Sequence, residues 1–342
     1  MATTNNFNGG SGALEVARRF STQAKGKTIL VTGVSIGGIG DAITRAFAAG
    51  GASTIIITGR SEQRLAEVTK ALTTDYPGTT FRTLRFDLYS LSSTQQAVKE
   101  ASSDLSIPAI DIIVGNAGGS QFGERVITED GLEQHFSGYV SHFLLVQGLI
   151  PKLRAASKSS PPGSTRVVMM TSGAQMASGI RFSDINLDCN KALPDDEKPD
   201  FTIFKALGVQ ETDKYDHNIA YAQCNTAKTL MALSLNSHLV SDKIYSFAVH
   251  PGIVRSAGTN PLWDQLGPEQ LATIEKFGGF KSIDQGAATI LVAALDPELK
   301  PDGGIYLSDC EKKPAPAHAV DESKADRLWK LTTDILSSRG YA

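Results

Sequence analysis

Two kinds of segment alternate along the chain. Short β-branched or apolar runs recur at 28–31 (TILV), 54–58 (TIIIT), 80–86, 110–114, 166–170, 244–249 and 305–307. Runs of this length bounded by turn residues predict buried parallel strands. Between them the apolar positions take helical spacing. Ala42, Ile43, Ala46 and Phe47 share one face, as do Leu65, Val68 and Leu72 within 61–74. A long helix with a strongly apolar second half is expected over 132–153, and a terminal amphipathic one over 321–336 carrying Leu328, Leu331 and Ile335. This alternation implies βαβ units with right-handed crossovers and helices on both faces. The expected fold is α/β, a doubly wound parallel sheet of about seven strands, with 305–307 at its edge. No internal repeat or dividing linker interrupts it, so a single domain is expected.

The junction over 27–50, KTILVTGVSIGGIGDAITRAFAAG, organises the rest. Gly33, Gly37, Gly38 and Gly40 follow the first strand directly, and a helix opens at Asp41. Glycines there let the backbone turn tightly and approach a pyrophosphate, while the N–H groups opening the helix favour an anion. A dinucleotide site is therefore expected. About twenty residues past Gly40, where an acidic residue would bind a ribose 2′-hydroxyl, the second strand ends in Gly59 and Arg60. An arginine accommodates a 2′-phosphate, so NADP(H) is expected over NAD.

Composition narrows the partners. The chain has 342 residues, 41% of them apolar and 20% charged, with a formal net charge of −3. That balance gives no electrostatic reason to expect nucleic acid or an anionic membrane surface. A small-molecule substrate remains, and homo-oligomerisation is left open. Cys189, Cys224 and Cys310 lie far apart without the close pairs of zinc sites, so neither a disulfide framework nor a metal is expected. Residues 1–12 read as a disordered tail and not a signal peptide, and no apolar run approaches transmembrane length. A cytoplasmic protein is expected.

Several motifs resemble the short-chain dehydrogenase/reductase family. TGVSIGGIG is similar to its TGxxxGxG turn, with one residue more before the final Gly-Ile-Gly. Gly115, Asn116, Ala117 and Gly118 resemble its NNAG turn. IRFSDINLD, the Tyr221 helix, HPGIV and GGIYLSDC follow in the order of the retinol-dehydrogenase-like branch. The likeness runs from about Gly26 to about Cys310. It implies a Rossmann-type NADP-binding domain over 26–312, preceded by a tail and leading segment over 1–25 and followed by a helix over 313–342 packed on the same domain. The implied cofactor contacts are Gly33, Ser35, Ile36, Gly38, Ile39 and Gly40 in the first turn, then Arg60. Asp87 and Leu88 are implied at the adenine, with Asp87 otherwise a helix cap. Asn116, Ala117, Gly118 and Tyr221 follow, with Pro251, Gly252, Ile253, Val254 and Ser256 after the sixth strand.

In that family a Ser polarises the substrate carbonyl and a Tyr exchanges its proton. A Lys four residues later binds ribose and lowers the Tyr pKa, and a helical Asn holds a water on that Lys. The resemblance places the Ser at Ser172 and the Tyr at Tyr221. It departs twice, because Asn225 stands where the Lys is expected and Gly138 where the Asn is expected. A neutral amide in place of the cation should return Tyr221 toward a pKa of about 10. Lys228, seven residues after Tyr221, is either a partial replacement or a solvated surface lysine. His142 and His250 are expected to be structural, and Cys224 a small buried residue. The 48 residues between Ser172 and Tyr221 exceed the family's need, and the polar surplus at 190–216 is expected to be a substrate lid, facing a wall made by Leu262, Trp263 and Leu266. The expected function is an NADPH-dependent reductase or dehydrogenase of a small-molecule carbonyl or alcohol, in secondary metabolism, with an impaired relay. The alternative is a redox-neutral cyclisation, dehydration or isomerisation on the same scaffold.

Overall fold

The computed structural model describes residues 6–119 and 123–341. Its strands are β1 (Thr28–Val31), β2 (Thr54–Gly59), β3 (Thr80–Arg85), β4 (Ile112–Gly115), β5 (Arg166–Met170), β6 (Tyr245–His250), β7 (Ile253–Val254), β8 (Phe280–Lys281), β9 (Tyr306–Ser308) and β10 (Glu311–Lys312). Eight of them form one sheet in the order β10-β9-β6-β5-β4-β1-β2-β3, while β7 and β8 pair separately. All neighbours in the large sheet run parallel except β9 and β10.

The last strand pair corrects the expected edge. Tyr306–Ser308 is covered by β10, reached through a two-residue reversal at Asp309 and Cys310 with φ of 55° and 63°. Both residues adopt the left-handed region that a tight hairpin demands, a place where glycine or asparagine is the usual signal. The backbone N–H of Cys310 donates to Thr289 Oγ1 at 3.1 Å and steadies the turn.

The helices are α1 (Ala13–Arg19), α2 (Ser21–Ala24), α3 (Ile39–Ala49), α4 (Glu62–Asp75), α5 (Leu91–Ser103), α6 (Gln134–Ser157), α7 (Thr202–Ala206), α8 (His217–His238), α9 (Asn260–Trp263), α10 (Pro268–Lys276), α11 (Ile283–Leu295) and α12 (Glu322–Ser338). Strand side chains alternate between two cores, as the period of two requires. Leu30, Ile56 and Ile113 face α5, α6 and α8. Ile29, Val31, Ile57 and Val114 face α3, α4 and α11. The terminal helix α12 lies over α6 and α8, where Tyr139 and Thr332 share a hydroxyl hydrogen bond of 3.0 Å. No helix among the described residues is long and apolar enough to cross a membrane.

The start of the chain also departs from expectation. Within the expected tail, Phe7 packs edge-on against Phe20 with ring centroids 5.8 Å apart. The N–H of Leu14 donates to Asp284 Oδ1 at 3.2 Å, and Gln285 donates to Gly10 O. Phe7, α1 and the N-terminus of α11 thus form one apolar and hydrogen-bonded seat, which a reading of 1–12 by composition overlooks.

Two buried histidines tie the layers together at the carboxyl ends of the strands. His142 Nδ1 lies 2.9 Å from Gly138 O, which can only accept, so Nδ1 carries the proton and Nε2 accepts from Thr32 Oγ1 at 3.0 Å. His250 Nδ1 accepts the N–H of Gly173 at 3.1 Å. Burial, reinforced by the charge of Lys228, pushes the His142 pKa down to about 3. Burial and Lys281 push His250 down to about 4 against the opposing pull of Asp309. Both serve structure, and both are neutral in the folded protein. Because their folded pKa values lie below the unfolded value, their contribution is whole above about pH 6.5 and is lost as pH falls toward 4. Each can remove up to about 1.4 kcal/mol per pH unit in that window. Urea unfolding at pH 7.0, 6.0 and 5.0 should therefore show stability falling with acidification, less steeply in His250→Gln; a profile flat down to pH 5 would contradict this account.

Candidate active site

β1 and β4 are neighbours at the centre of the sheet, but their connections depart to opposite sides, which opens a crevice beyond their carboxyl ends. The two turns meet there. A Cβ built on Gly33 (φ 71°) would lie 2.8 Å from Ala117 Cα, and one on Gly40 would lie 2.5 Å from Gly33 O. Only glycine permits both approaches. Asn116 Nδ2 donates to Thr32 O at 2.7 Å and to Gly33 O at 3.0 Å, and the N–H of Ala117 donates to Thr32 Oγ1 at 2.8 Å.

The outer half of the first turn is open. Gly37 has φ of 73° with clear space where a Cβ would project. Ser35 is exposed, and so is Ile36, at 57% of its surface. Gly38 begins α3 with no side-chain cap on its first N–H groups, and Ile39 and Gly40 follow in the first turn. A glycine cradle leading into an uncapped helix start fits a pyrophosphate. At the end of β2, Arg60 is exposed and its guanidinium lies 6.0 Å from the Tyr89 ring. Asp87 is not the helix cap, since Ser90 caps α5 and Asp87 Oδ1 accepts the N–H of Tyr89 at 3.1 Å. Leu88 is buried beneath Gly138, where a Cβ would come within 3.2 Å of Leu88 Cδ2.

On the far side of the crevice the chain leaves β6 through Pro251 and Gly252 (φ 87°) into Ile253 and Val254, with Ser256 N–H donating to Thr259 Oγ1 at 2.9 Å. Trp263 braces this loop. Its indole N–H donates to Val254 O at 3.1 Å and its ring packs edge-on against Phe280. Leu266 is half-buried, and the Leu262 side chain lies outside the described residues.

Ser172 follows β5 and caps a 3-10 turn, Gly173–Ala177, by accepting the N–H of Ala174 at 3.2 Å. Tyr221 sits on α8, partly exposed to the crevice. Burial raises its pKa above the usual value, Ser172 and Asn225 pull against that as hydrogen-bonding neighbours, and Cys224 adds to the rise. The net direction is upward, so the phenol is protonated at neutral pH. Asn225 is buried, its Nδ2 donating to Tyr221 O at 2.7 Å and its backbone carbonyl accepting from Thr171 Oγ1 at 3.0 Å.

Lys228 is not a solvated surface lysine. It is 5% exposed, and its Nζ lies 3.5 Å from Ala117 O and would lie 3.2 Å from a Cβ on Gly118. Helical side chains lean toward the N-terminus, which carries the ammonium back from its Cα into the crevice. Its charge lowers the thiol pKa of Cys224 against the larger upward push of burial. The crevice is lined by Leu88, Tyr89, Gly118, Gly119, His135, Gly138, Tyr221, Cys224 and Lys228.

One constellation was not anticipated. Glu133, fully buried, caps α6 through Oε2 to the N–H of Phe136 at 2.9 Å. Its Oε1 receives His135 Nδ1 at 2.8 Å and the Tyr215 hydroxyl at 3.1 Å. Burial pushes this carboxyl up, but His135 and the backbone hold it below its ordinary value. The His135 ring stands edge-on to Tyr221 at 6.2 Å. The sequence signal was an acid two residues before a histidine at a helix start.

The segment over 190–216 is anchored at its middle and at its end. Phe201 and Phe204 bury against Ala177, Ile219 and Ala222, and Asp216 caps α8. Apolar anchors inside a polar stretch seat it beside the Ser172 turn.

Comparison with known proteins agrees with this architecture. The family model described as short chain dehydrogenase matches residues 27–183. "Oxidoreductase fscI" of Fusarium equiseti is 37% identical over 247 residues, covering 72% of this chain and 94% of that protein. "Polyprenol dehydrogenase" of Danio rerio is 30% identical over 320 residues, covering 92% and 88%. Among solved structures, NADPH-bound carbonyl reductase from chicken fatty liver superposes with a TM-score of 0.56 at 16% identity, over 83% of this chain and 96% of that one. With the glycine turn, the Asn116 clamp and the Ser172–Tyr221 pair in the expected order on an eight-stranded doubly wound sheet, the chain belongs to the short-chain dehydrogenase/reductase family of oxidoreductases.

Proposed function

We propose that the protein is an NADPH-dependent reductase of a carbonyl group on a small molecule, working with a weakened proton relay. The observation that carries this is the placing of the Tyr221 phenol, its pKa raised by burial, beside Ser172 at the mouth of a dinucleotide-type cradle. The cofactor, when bound, supplies the hydride. Ser172 holds the carbonyl oxygen and Tyr221 delivers the proton, a direction that a raised phenol pKa favours over alcohol oxidation. The turn from Gly33 to Gly40 would hold the pyrophosphate. Arg60, which pairs with no carboxylate among the described residues, would hold the 2′-phosphate, and Asp87 with Leu88 would flank the adenine. Asn116 to Gly118 and Pro251 to Ser256 would border the nicotinamide half. The segment over 190–216 closes on the substrate as a lid. The NADPH named in the chicken reductase's title is consistent with this cofactor.

A second reading is favoured by one observation. Asn225 spends its amide on the helix carbonyl of Tyr221 and brings no charge to the phenol, so the cation on which a reductase's proton relay depends is missing there. The two readings separate experimentally.

If Arg60 reads the 2′-phosphate, NADPH should bind more tightly than NADH, and Arg60→Ala should remove about 1 to 3 kcal/mol of that preference by titration calorimetry. Equal affinities in the unmodified protein would sink this assignment. Shortening 190–216 between its buried anchors should weaken substrate turnover and leave NADPH affinity unchanged; an unaltered substrate profile would make the segment a passive loop. Asn225→Lys should speed a reductase by up to about tenfold per pKa unit recovered at Tyr221, and Tyr221→Phe should nearly abolish it. Product formed while NADPH absorbance stays constant, with no gain in Asn225→Lys, selects the redox-neutral chemistry.

A further inference from the structure

Among the described residues Lys228 has no counter-charge. Its single hydrogen bond is a long one to a neutral carbonyl, and no carboxylate among the described residues forms an ion pair with it. Glu133, which stands behind the lining residue His135, is already engaged by His135, Tyr215 and the N–H of Phe136. An ammonium has three donors to satisfy, and burying one without an anion is unfavourable. The groups in front of it are small. Gly118 and Gly119 carry no side chain, and Gly138 stands where any Cβ would press on Leu88. Tyr221, Cys224 and Lys228 fall at i, i+3 and i+7 along α8, so the cation and the phenol open onto the same crevice.

We infer that Lys228 is the seat of an anionic oxygen on the substrate, a carboxylate or the enolate of a 1,3-dicarbonyl, held beside the Tyr221 hydroxyl. The substrate class is thus acidic, and the ammonium completes its coordination only when that oxygen is present. A cofactor phosphate is the other source of an anionic oxygen, but the cradle at Gly33–Gly40 and the start of α3 already offer it a place. The inference rests on this crevice being the substrate site proposed above.

The test uses the full chain with benzoate and acetylacetonate as probes, each with and without NADP+, followed by thermal unfolding and calorimetry on unmodified protein, Lys228→Met and Lys228→Arg. Unmodified protein should bind a probe and unfold at a higher temperature with it. Lys228→Met should unfold a few degrees above the unmodified protein when both are empty, because a buried unpaired charge is gone. Its probe affinity should fall at least about tenfold, as expected for losing a charge-assisted contact, while Lys228→Arg keeps most of it. NADPH affinity should change by less than about threefold. Undiminished probe binding by Lys228→Met, no binding of either probe by unmodified protein, or NADPH affinity lost in step with probe affinity would each overturn the assignment, the last by giving the ammonium to the cofactor. Absence of NADPH binding by unmodified protein strikes only the reductase reading, and the benzoate result still decides the role of Lys228.

Discussion

The contact between the turns after β1 and β4 is the constraint on which the rest of the site depends. Gly33 and Ala117 approach more closely than any side chain would allow, and Asn116 spans the gap with two hydrogen bonds to the β1 exit. Thr32 occupies the centre, receiving the N–H of Ala117 and donating to His142, which in turn donates to Gly138 O. One hydroxyl therefore sets the position of two loops and one helix. Because the carbonyl of Gly138 is committed in this chain, the floor of the crevice is fixed by the same bonds that hold the sheet together.

The helix that carries Tyr221 is subject to a different compromise. α8 lies between the sheet, α6 and α12, so nearly its whole middle is buried. A cation beside Tyr221 would help the phenol ionise at the cost of desolvation, whereas Asn225 closes back on the helix and is satisfied locally. The chain carries a lysine, Lys228, three residues further on, less than one helical turn, where its ammonium reaches the crevice lining. Packing and chemistry are separated along a single helix.

Much of this was legible in the sequence. The strand runs, the glycine turn and the order of the later motifs depend on local patterns, and those patterns survived folding. What escaped depended on tertiary surroundings. The sequence leaves the depth of Lys228 open between a partial replacement and a solvated lysine because a helix buried on all sides has no polar face to mark which lysine points inward. The hairpin at Asp309 and Cys310 was hidden because neither residue is the glycine that such a turn normally announces. Asp87, for which a helix cap is the alternative reading, leaves the capping of α5 to Ser90 and holds its own loop instead. The Glu133–His135–Tyr215 cluster joins a helix start to the end of a segment some eighty residues later, a distance no periodicity reports.

The seat of α1 has a consequence for synthesis. Its helix packs on α3, which follows closely, and on α11, to which Leu14 is tied through Asp284 across 270 residues. At translation rates of about 5 to 20 residues per second, the second partner emerges about 12 to 50 s after the first. Through that interval α1, whose Val16 and Ala17 are buried in the finished fold, lacks the cover that α11 provides. Until α11 arrives, α1 has its neighbour α3 to pack on, so the seat of this early helix is completed by one of the latest elements of the chain.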